Sequence, residues 1–431
     1  MKRSSVDEST RRDFMTRLAR TCLGVSFLPP ASLAYALEQK NSTSSEKASQ
    51  VIYLFMRGGM SHVDTFDTKP DAPAGIQGPV RTIKTQADGV RFSGYLEELA
   101  KHANKFAIIN SMTHTQGAHE QGVYKVHTGY EQGSTLRYPA LGSWVAKQVP
   151  KTHGSLPPYI RFGGLAGHPG SGFLDARYAP VPVLDPAKGI EHTQPQESDS
   201  MTALRKRADL ATQLNASFLQ KYNLSDIRVH AETYTEAIKL MKSDDLNVFD
   251  LTTEKQKLVN DYGQNSFGQG LLLARRLVER GTNFVEVELG GWDTHDNNFG
   301  RVEELCKIVD RGVSTLLQDL EDRGLLRSTL VVLTTEFGRS PEITGGGRNH
   351  HPIAFSSFIA GGGVKGGQIY GKTDPEGAKV VENPASVADF HATIGSLLGI
   401  SPAEHVTVAG GEFSIYGGTG AKRGVPIASF V

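Results

Sequence analysis

Val51-Ile52-Tyr53-Leu54-Phe55-Met56 runs straight into Arg57-Gly58-Gly59. Six apolar residues rich in β-branched and aromatic side chains are too short a run for an ordinary helix. They suit a strand covered on both faces, as in the middle of a parallel or mixed sheet. The glycines that follow permit a tight turn and a close approach to whatever sits at the strand's carboxyl end. Four more runs have this form: 106–109 ending at Asn110-Ser111, 284–289 ending at Gly290-Gly291, 330–335 ending at Glu336, and 354–360 ending at Gly361-Gly362-Gly363.

Helical periodicity fills the intervals. Over 299–323, Val302, Leu305, Val309, Val313, Leu316, Leu317 and Leu320 recur at spacings of three and four, and Gly324 supplies a C-cap. Helices are also expected over 267–280 and 385–398. The succession helix–strand–helix–strand from 267 to 335 is the pattern of crossover connections on a sheet with helices on both faces. The expectation is a three-layer α/β/α sandwich around a mostly parallel sheet.

Outside that core, the first 36 residues read as a signal. Arg11-Arg12 opens a basic region, a modest apolar run follows, and Ala34-Tyr35-Ala36 offers small residues at a cleavage site. Paired arginines in this position look like a twin-arginine address, which implies the twin-arginine translocation machinery as a partner and a periplasmic or secreted location. Residues 37–50 are polar and read as a flexible lead. The α/β domain is expected over 51–402, with a helical insertion at about 185–260 (helices over 200–222 and 229–241) and a C-terminal extension, 403–431, packed on it.

Composition narrows the function classes. Lys plus Arg number 46 and so do Asp plus Glu, so no global bias favours nucleic acid. No later run approaches the roughly 20 apolar residues of a membrane span. The two cysteines are Cys22, inside the signal, and Cys306, on the apolar side of the 299–323 helix. Neither can pair in the mature chain, so Cys306 is read as a buried hydrophobe. There is no GxSxG elbow, GxGxxG or Walker loop, which weighs against the common serine-hydrolase, dinucleotide and P-loop chemistries.

The polar chemistry gathers where open α/β sheets bind ligands, beyond the strands' carboxyl ends. After the first strand come His62, Asp64 and Asp67. After the second come Thr113, His114 and His119. After the third comes Gly291-Trp292-Asp293-Thr294-His295, and after the fourth Glu336-Phe337-Gly338-Arg339. Gly347-Arg348-Asn349-His350-His351 precedes the fifth. Acids and histidines converging from several loops suit a divalent cation, and the mixture of imidazole and carboxylate suits zinc, manganese or iron better than calcium. Asp64, Asp293, His295, Glu336, His350 and His351 are the candidate ligands. Arg339 and Arg348 are candidates to clamp an oxyanion, and Thr113 and His119 to act on a bound ester. Asp67 reads as a turn cap, and His102 and His391 as structural.

These stretches also carry a resemblance. Residues 54–70 (LFMRGGMSHVDTFDTKP), His127-Thr128-Gly129-Tyr130, GWDTH at 291–295, TEFGR at 335–339, GRNHHP at 347–352, Gly371-Lys372-Thr373-Asp374 and Asp389-Phe390-His391-Ala392-Thr393 resemble the DUF1501 family over about residues 50–400. That family is grouped with the alkaline phosphatase-like superfamily of phosphatases, sulfatases and cofactor-independent phosphoglycerate mutases. The resemblance implies an alkaline phosphatase-like α/β/α sandwich with two metal sites and a Ser or Thr nucleophile at a helix start, for which Ser111, Thr113 and Thr115 are the nearby hydroxyls. It also implies a metal-binding aspartate just after the first strand, where this chain has Gly58, with Asp64 displaced along the loop. The Asp-x-x-x-His pair of the superfamily corresponds to Asp293 and His295 at shorter spacing. Its later Asp-His falls on Glu336-Phe337.

The expected function is metal-dependent hydrolysis of phosphate or sulfate esters, small or polysaccharide, outside the cytoplasm, with a divalent cation (zinc, manganese or calcium) as cofactor. The competing expectation is a catalytically degenerate cell-envelope protein that binds anionic polysaccharide.

Overall fold

The computed structural model describes residues 47–133, 135–152, 154–191, 202–203, 206, 209–211, 213–214, 235–417 and 423–431. The segment expected as a twin-arginine signal and most of the helix expected over 200–222 lie outside them, while of the helix expected over 229–241 residues 235–241 are described and are helical. Among the described residues no helix is long and apolar enough to cross a membrane.

The sheet strands, in chain order, are β1 Gln50–Met56, β2 Phe106–Thr113, β3 Tyr159–Phe162, β4 Val181–Val183, β5 Phe284–Leu289, β6 Thr329–Thr334, β7 Phe355–Gly361, β8 Gln368–Tyr370 and β9 Ala385–Ser386. They lie in the order β8–β2–β7–β6–β1–β5–β3–β4, with β9 beside the end of β2. β1 sits between β5 and β6, parallel to both, with Tyr53 in register with Glu286 and Val332. Only β7 runs against its neighbours, antiparallel to β2 and β6. The fold is a mixed α/β sandwich about a large, mostly parallel sheet, as the strand runs implied.

Alternation along β1 explains the layers, because successive side chains of a strand point to opposite faces. Ile52, Leu54 and Met56 join a core with Leu271, Leu277, Val309 and Leu316. These come from the helices α3 Ser266–Glu279 and α4 Asn298–Asp322. Val51, Tyr53 and Phe55 face the other way, onto a core with Val123, Val126, Trp144 and Ile394. Those belong to α1 His119–Thr128, α2 Leu141–Gln148 and α5 Val387–Leu397. Cys306 is buried and unpaired on the first face.

Two details refine the sequence reading. Ala385-Ser386, expected as helix, form β9 instead, because Ser386 caps α5 in a reciprocal capping box with Asp389. In the 185–260 region the described residues include two short 3-10 turns, Asp244–Phe249 and Leu251–Thr253, and the helix Gln256–Tyr262. Near the C-terminus, Ile415, Tyr416, Ile427 and Phe430 are buried in the second core.

Candidate metal centre

The parallel strands aim their carboxyl ends at one edge, and the loops there interlock. Gly58 has φ +119°, and a Cβ on it would lie 2.5 Å from the Asp293 backbone nitrogen, so only glycine lets the β1 turn lie against the β5 loop. Gly347 is equally tight against His295, where a Cβ would meet the carbonyl carbon at 2.0 Å.

Glu336, fully buried just past β6, anchors the centre. Its Oε1 accepts the Gly58 N–H at 2.7 Å and lies 2.8 Å from His119 Nδ1. Its Oε2 lies 3.2 Å from the Thr335 hydroxyl oxygen. His119 is the first residue of α1, and the hydrogen bond to Glu336 raises its pKa above the ordinary imidazole value. A carboxylate only accepts, so Nδ1 carries the proton and Nε2 is left facing Asp293 Oδ2 at 3.3 Å. That Nε2 is buried and has no hydrogen-bond partner.

Three further ligand atoms crowd the same point. His295 Nε2 is 3.1 Å from Asp293 Oδ1 and 3.1 Å from His350 Nε2, which is itself 3.4 Å from Asp293 Oδ1. His350 Nδ1 lies 2.7 Å from the Gly117 carbonyl, another pure acceptor, so its proton is held there and its Nε2 lone pair points inward. His119, Asp293 and His350 offer ligand atoms that all lie within 4.8 Å of one another. The inward nitrogens of His119 and His350 face the Asp293 carboxylate, and outer partners that fix the imidazole tautomers, here Glu336 and the Gly117 carbonyl, are the usual accompaniment of a metal ligand. The residues therefore fit a divalent cation.

Burial works to raise the Asp293 carboxyl, but the Arg339 hydrogen bond and charge, with His119 and His295 alongside, hold it down at about 2. His350 is shifted the other way: burial, then the Arg339 charge, lower it. Phe337 backs the cluster, its ring centroid 4.6 Å from that of His350 and 5.0 Å from that of His119.

Of the residues singled out from sequence, His119, Asp293 and His350 come together as a group that could hold a cation, His295 lies beside them with its Nε2 3.4 Å from Arg339 Nη1, and Glu336 stands one layer behind. The others are engaged elsewhere. Asp64 and Arg348 form a fully buried pair, with Arg348 Nε and Nη2 each 2.8 Å from the carboxylate, whose Oδ2 also accepts from Asn298 at 2.9 Å. The rest of the Arg348 guanidinium is held by the carbonyls of Ile76, Ser340 and Pro341, so it holds loops together and has no donor left for an oxyanion. Arg339 is likewise buried, donating to the carbonyls of Gly58, Gly59 and Arg348 and to Asp293. His351 sits on the opposite face of its two-residue strand, 2.7 Å from the Ala378 carbonyl and stacked on His62. Thr113 ends β2 in register with Ser386 and makes no hydrogen bond to the cluster.

A second group went unnoticed in the sequence. His127, His168 and Glu286 are buried close enough together to hold a cation. His127 Nδ1 lies 2.8 Å from the Val123 carbonyl and Nε2 3.0 Å from Glu286 Oε1. His168 is wired differently from the first cluster: its Nδ1 accepts the Gly170 N–H at 3.0 Å, so its proton is on Nε2, toward Tyr159 and Glu286. Burial lowers His168 to about 4. Tyr159 donates to Glu286, and Arg161 Nη1 stands 3.5 Å from it. Burial pushes the Glu286 carboxyl up, but Arg161 and the two histidines outweigh it and leave it well below the ordinary range. A glutamate inside the apolar run FVEVEL was the signal that could have found this group.

The fold is a mixed α/β sandwich that brings His119, Asp293 and His350 together as a group that could hold a cation. The chain belongs to the DUF1501 family of proteins of unknown function, whose model matches residues 48–422. No curated protein matches the sequence. Among solved structures it is similar to the PsFucS1 sulfatase from Pseudoalteromonas sp., at 14% identity and TM-score 0.41 over 87% of this chain and 72% of that one. It is also similar to the alkaline phosphatase from the Antarctic bacterium TAB5, at 11% identity and TM-score 0.35 over 82% and 98%.

Proposed function

We propose that this chain hydrolyses phosphate or sulfate esters with a divalent cation held by His119, Asp293, His295 and His350, acting outside the cytoplasm after twin-arginine export. One observation carries the reading: the unpartnered, buried Nε2 of His119 faces Asp293 while Glu336 holds the proton on the other ring nitrogen. When bound, such a cation supplies Lewis-acid polarisation of an ester oxygen and acidification of water. Three imidazoles and one carboxylate favour zinc, manganese or iron over calcium.

The chain's own groups have distinct tasks. Glu336 and the Gly117 carbonyl fix the tautomers of His119 and His350. Arg339, with its donors committed to backbone and to Asp293, positions that carboxylate and compensates its charge. Thr335 is bound to the Met56 carbonyl at 2.7 Å, so its hydroxyl is occupied in holding the β1 and β6 ends together. The Arg11-Arg12 segment supports the location.

The test is hydrolysis of 4-nitrophenyl phosphate and 4-nitrophenyl sulfate by protein loaded in turn with zinc, manganese, iron and calcium. Turnover of one ester with a transition metal, lost in His350→Ala, is the expected result. Metal retention without turnover of either ester would leave a cation-holding binding protein, and retention of no metal would remove the proposal.

A further inference from the structure

A cleft of about 380 Å³ is lined in part by Glu120, Tyr124, Gln132, Arg137, Gly167 and His168. Both of its walls are tied to cation ligands. Glu120 directly follows His119 in α1. On the other side, Gly167 lies against Arg57, whose Nη2 is 3.9 Å from where a Cβ on Gly167 would stand. Arg57 in turn precedes Gly58, which abuts the Asp293 backbone.

The charges here are under-compensated. The Arg137 guanidinium is exposed and has no hydrogen bond or ion pair among the described residues. Arg57 reaches its one carboxylate partner, Glu288, only at 3.5 Å, with 39% of its side chain exposed. These two guanidiniums, unlike those of Arg339 and Arg348, keep donors for a ligand. Between them stand groups suited to hydroxyls. Tyr124 Oη accepts the Tyr138 N–H at 2.7 Å, which leaves its own hydrogen to donate. Glu120 and Gln132 are exposed, and a carboxylate and an amide can both accept from a hydroxyl. A bare polyanion would be repelled by Glu120, whereas a hydroxylated chain with spaced anionic groups satisfies both halves of the lining.

We infer that this cleft is a subsite for a hydroxyl-rich oligosaccharide bearing anionic groups, with Arg137 in its lining and Arg57 at its Gly167 edge engaging anionic groups along the chain that carries the ester. This rests on the hydrolase reading only for what lies at the cation; the cleft's own chemistry is independent of it.

The test is calorimetric titration of the full chain with a sulfated dextran oligosaccharide, neutral dextran of equal length and polyphosphate of matched charge. The sulfated dextran binds most tightly, and Arg137→Gln weakens it by about tenfold, the loss of one charge-assisted hydrogen bond. Arg327→Gln, an equal charge change at an exposed residue before the amino end of β6, leaves binding within about twofold, since a distant exposed charge is screened. Equal weakening by Arg327→Gln, equal binding of neutral dextran or of polyphosphate, or no binding of any probe would overturn the inference. Hydrolysis without this selectivity removes the subsite alone, and selective binding without hydrolysis removes the hydrolase reading alone.

Discussion

Replacing Glu336 by glutamine probes the cation centre without touching any of its ligands. The glutamine is nearly isosteric, and its carbonyl oxygen can still accept from Gly58 N–H and His119 Nδ1–H, at the positions where Glu336 Oε1 now receives them at 2.7 and 2.8 Å. Only the charge is lost. A charge-assisted hydrogen bond is about twice as strong as a neutral one, so the His119 contact weakens by about 1–1.5 kcal/mol. The His119 ring becomes less basic and less firmly oriented, and loss of such an outer partner costs about 10–100-fold in metal affinity. The assay is competition for zinc against a chelator of known affinity, with urea denaturation of the metal-free protein in parallel. The expected result is an affinity loss in that range with metal-free stability changed by no more than about 1.5 kcal/mol. Unchanged zinc affinity, with the fold intact, would refute the reasoning that Glu336 acts through His119.

Other consequences follow from the surrounding structure. Arg348→Met leaves the Asp64 carboxylate buried with Asn298 as its remaining side-chain partner, so unfolding free energy should fall by about 3–5 kcal/mol in urea titration. Gly58→Ala puts a side chain at φ +119° and 2.5 Å from Asp293 N. It should cost more than about 1 kcal/mol and weaken metal binding as the β5 loop is pushed away. Stability should also depend on acid through His391, which is fully buried 2.9 Å from the Val126 carbonyl, and whose pKa burial lowers to about 4. The unfolded chain protonates it near pH 6.5 and the folded chain only near 4, so its contribution is present above about 6.5 and lost as pH falls to about 4, up to about 3 kcal/mol. His391→Gln should flatten the stability slope in that window by up to one proton, measured by denaturation at pH 7 and pH 4.5.

The fold was legible because strand runs such as 51–56 and 284–289 are apolar and short, and because α4 keeps an unbroken apolar stripe over seven turns. β9 was misread as helix because its role depends on pairing with Met112 and Thr113, more than 270 residues upstream. The centre was half legible. Position after strand ends drew attention to Asp293, His295 and His350, but residue type alone could not separate a ligand from its support. His119, expected to act on the ester, instead stands among the cluster's inward-facing groups with Glu336, expected as a ligand, behind it, a contact between the start of α1 and the end of β6 that only the tertiary fold makes. Asp64 looked like a ligand until Arg348, 284 residues away, proved to claim both carboxylate oxygens. The Gly117 carbonyl that orients His350 is backbone and carries no sequence signal.

Anomalous diffraction from crystals grown with zinc, recorded on both sides of the zinc absorption edge, bears most directly on the central claim. A single strong peak bonded to the Nε2 atoms of His119 and His350 and to the Asp293 carboxylate at about 2.0–2.2 Å is the result expected. A peak only at His127, His168 and Glu286, or none at either cluster under saturating zinc, would contradict it.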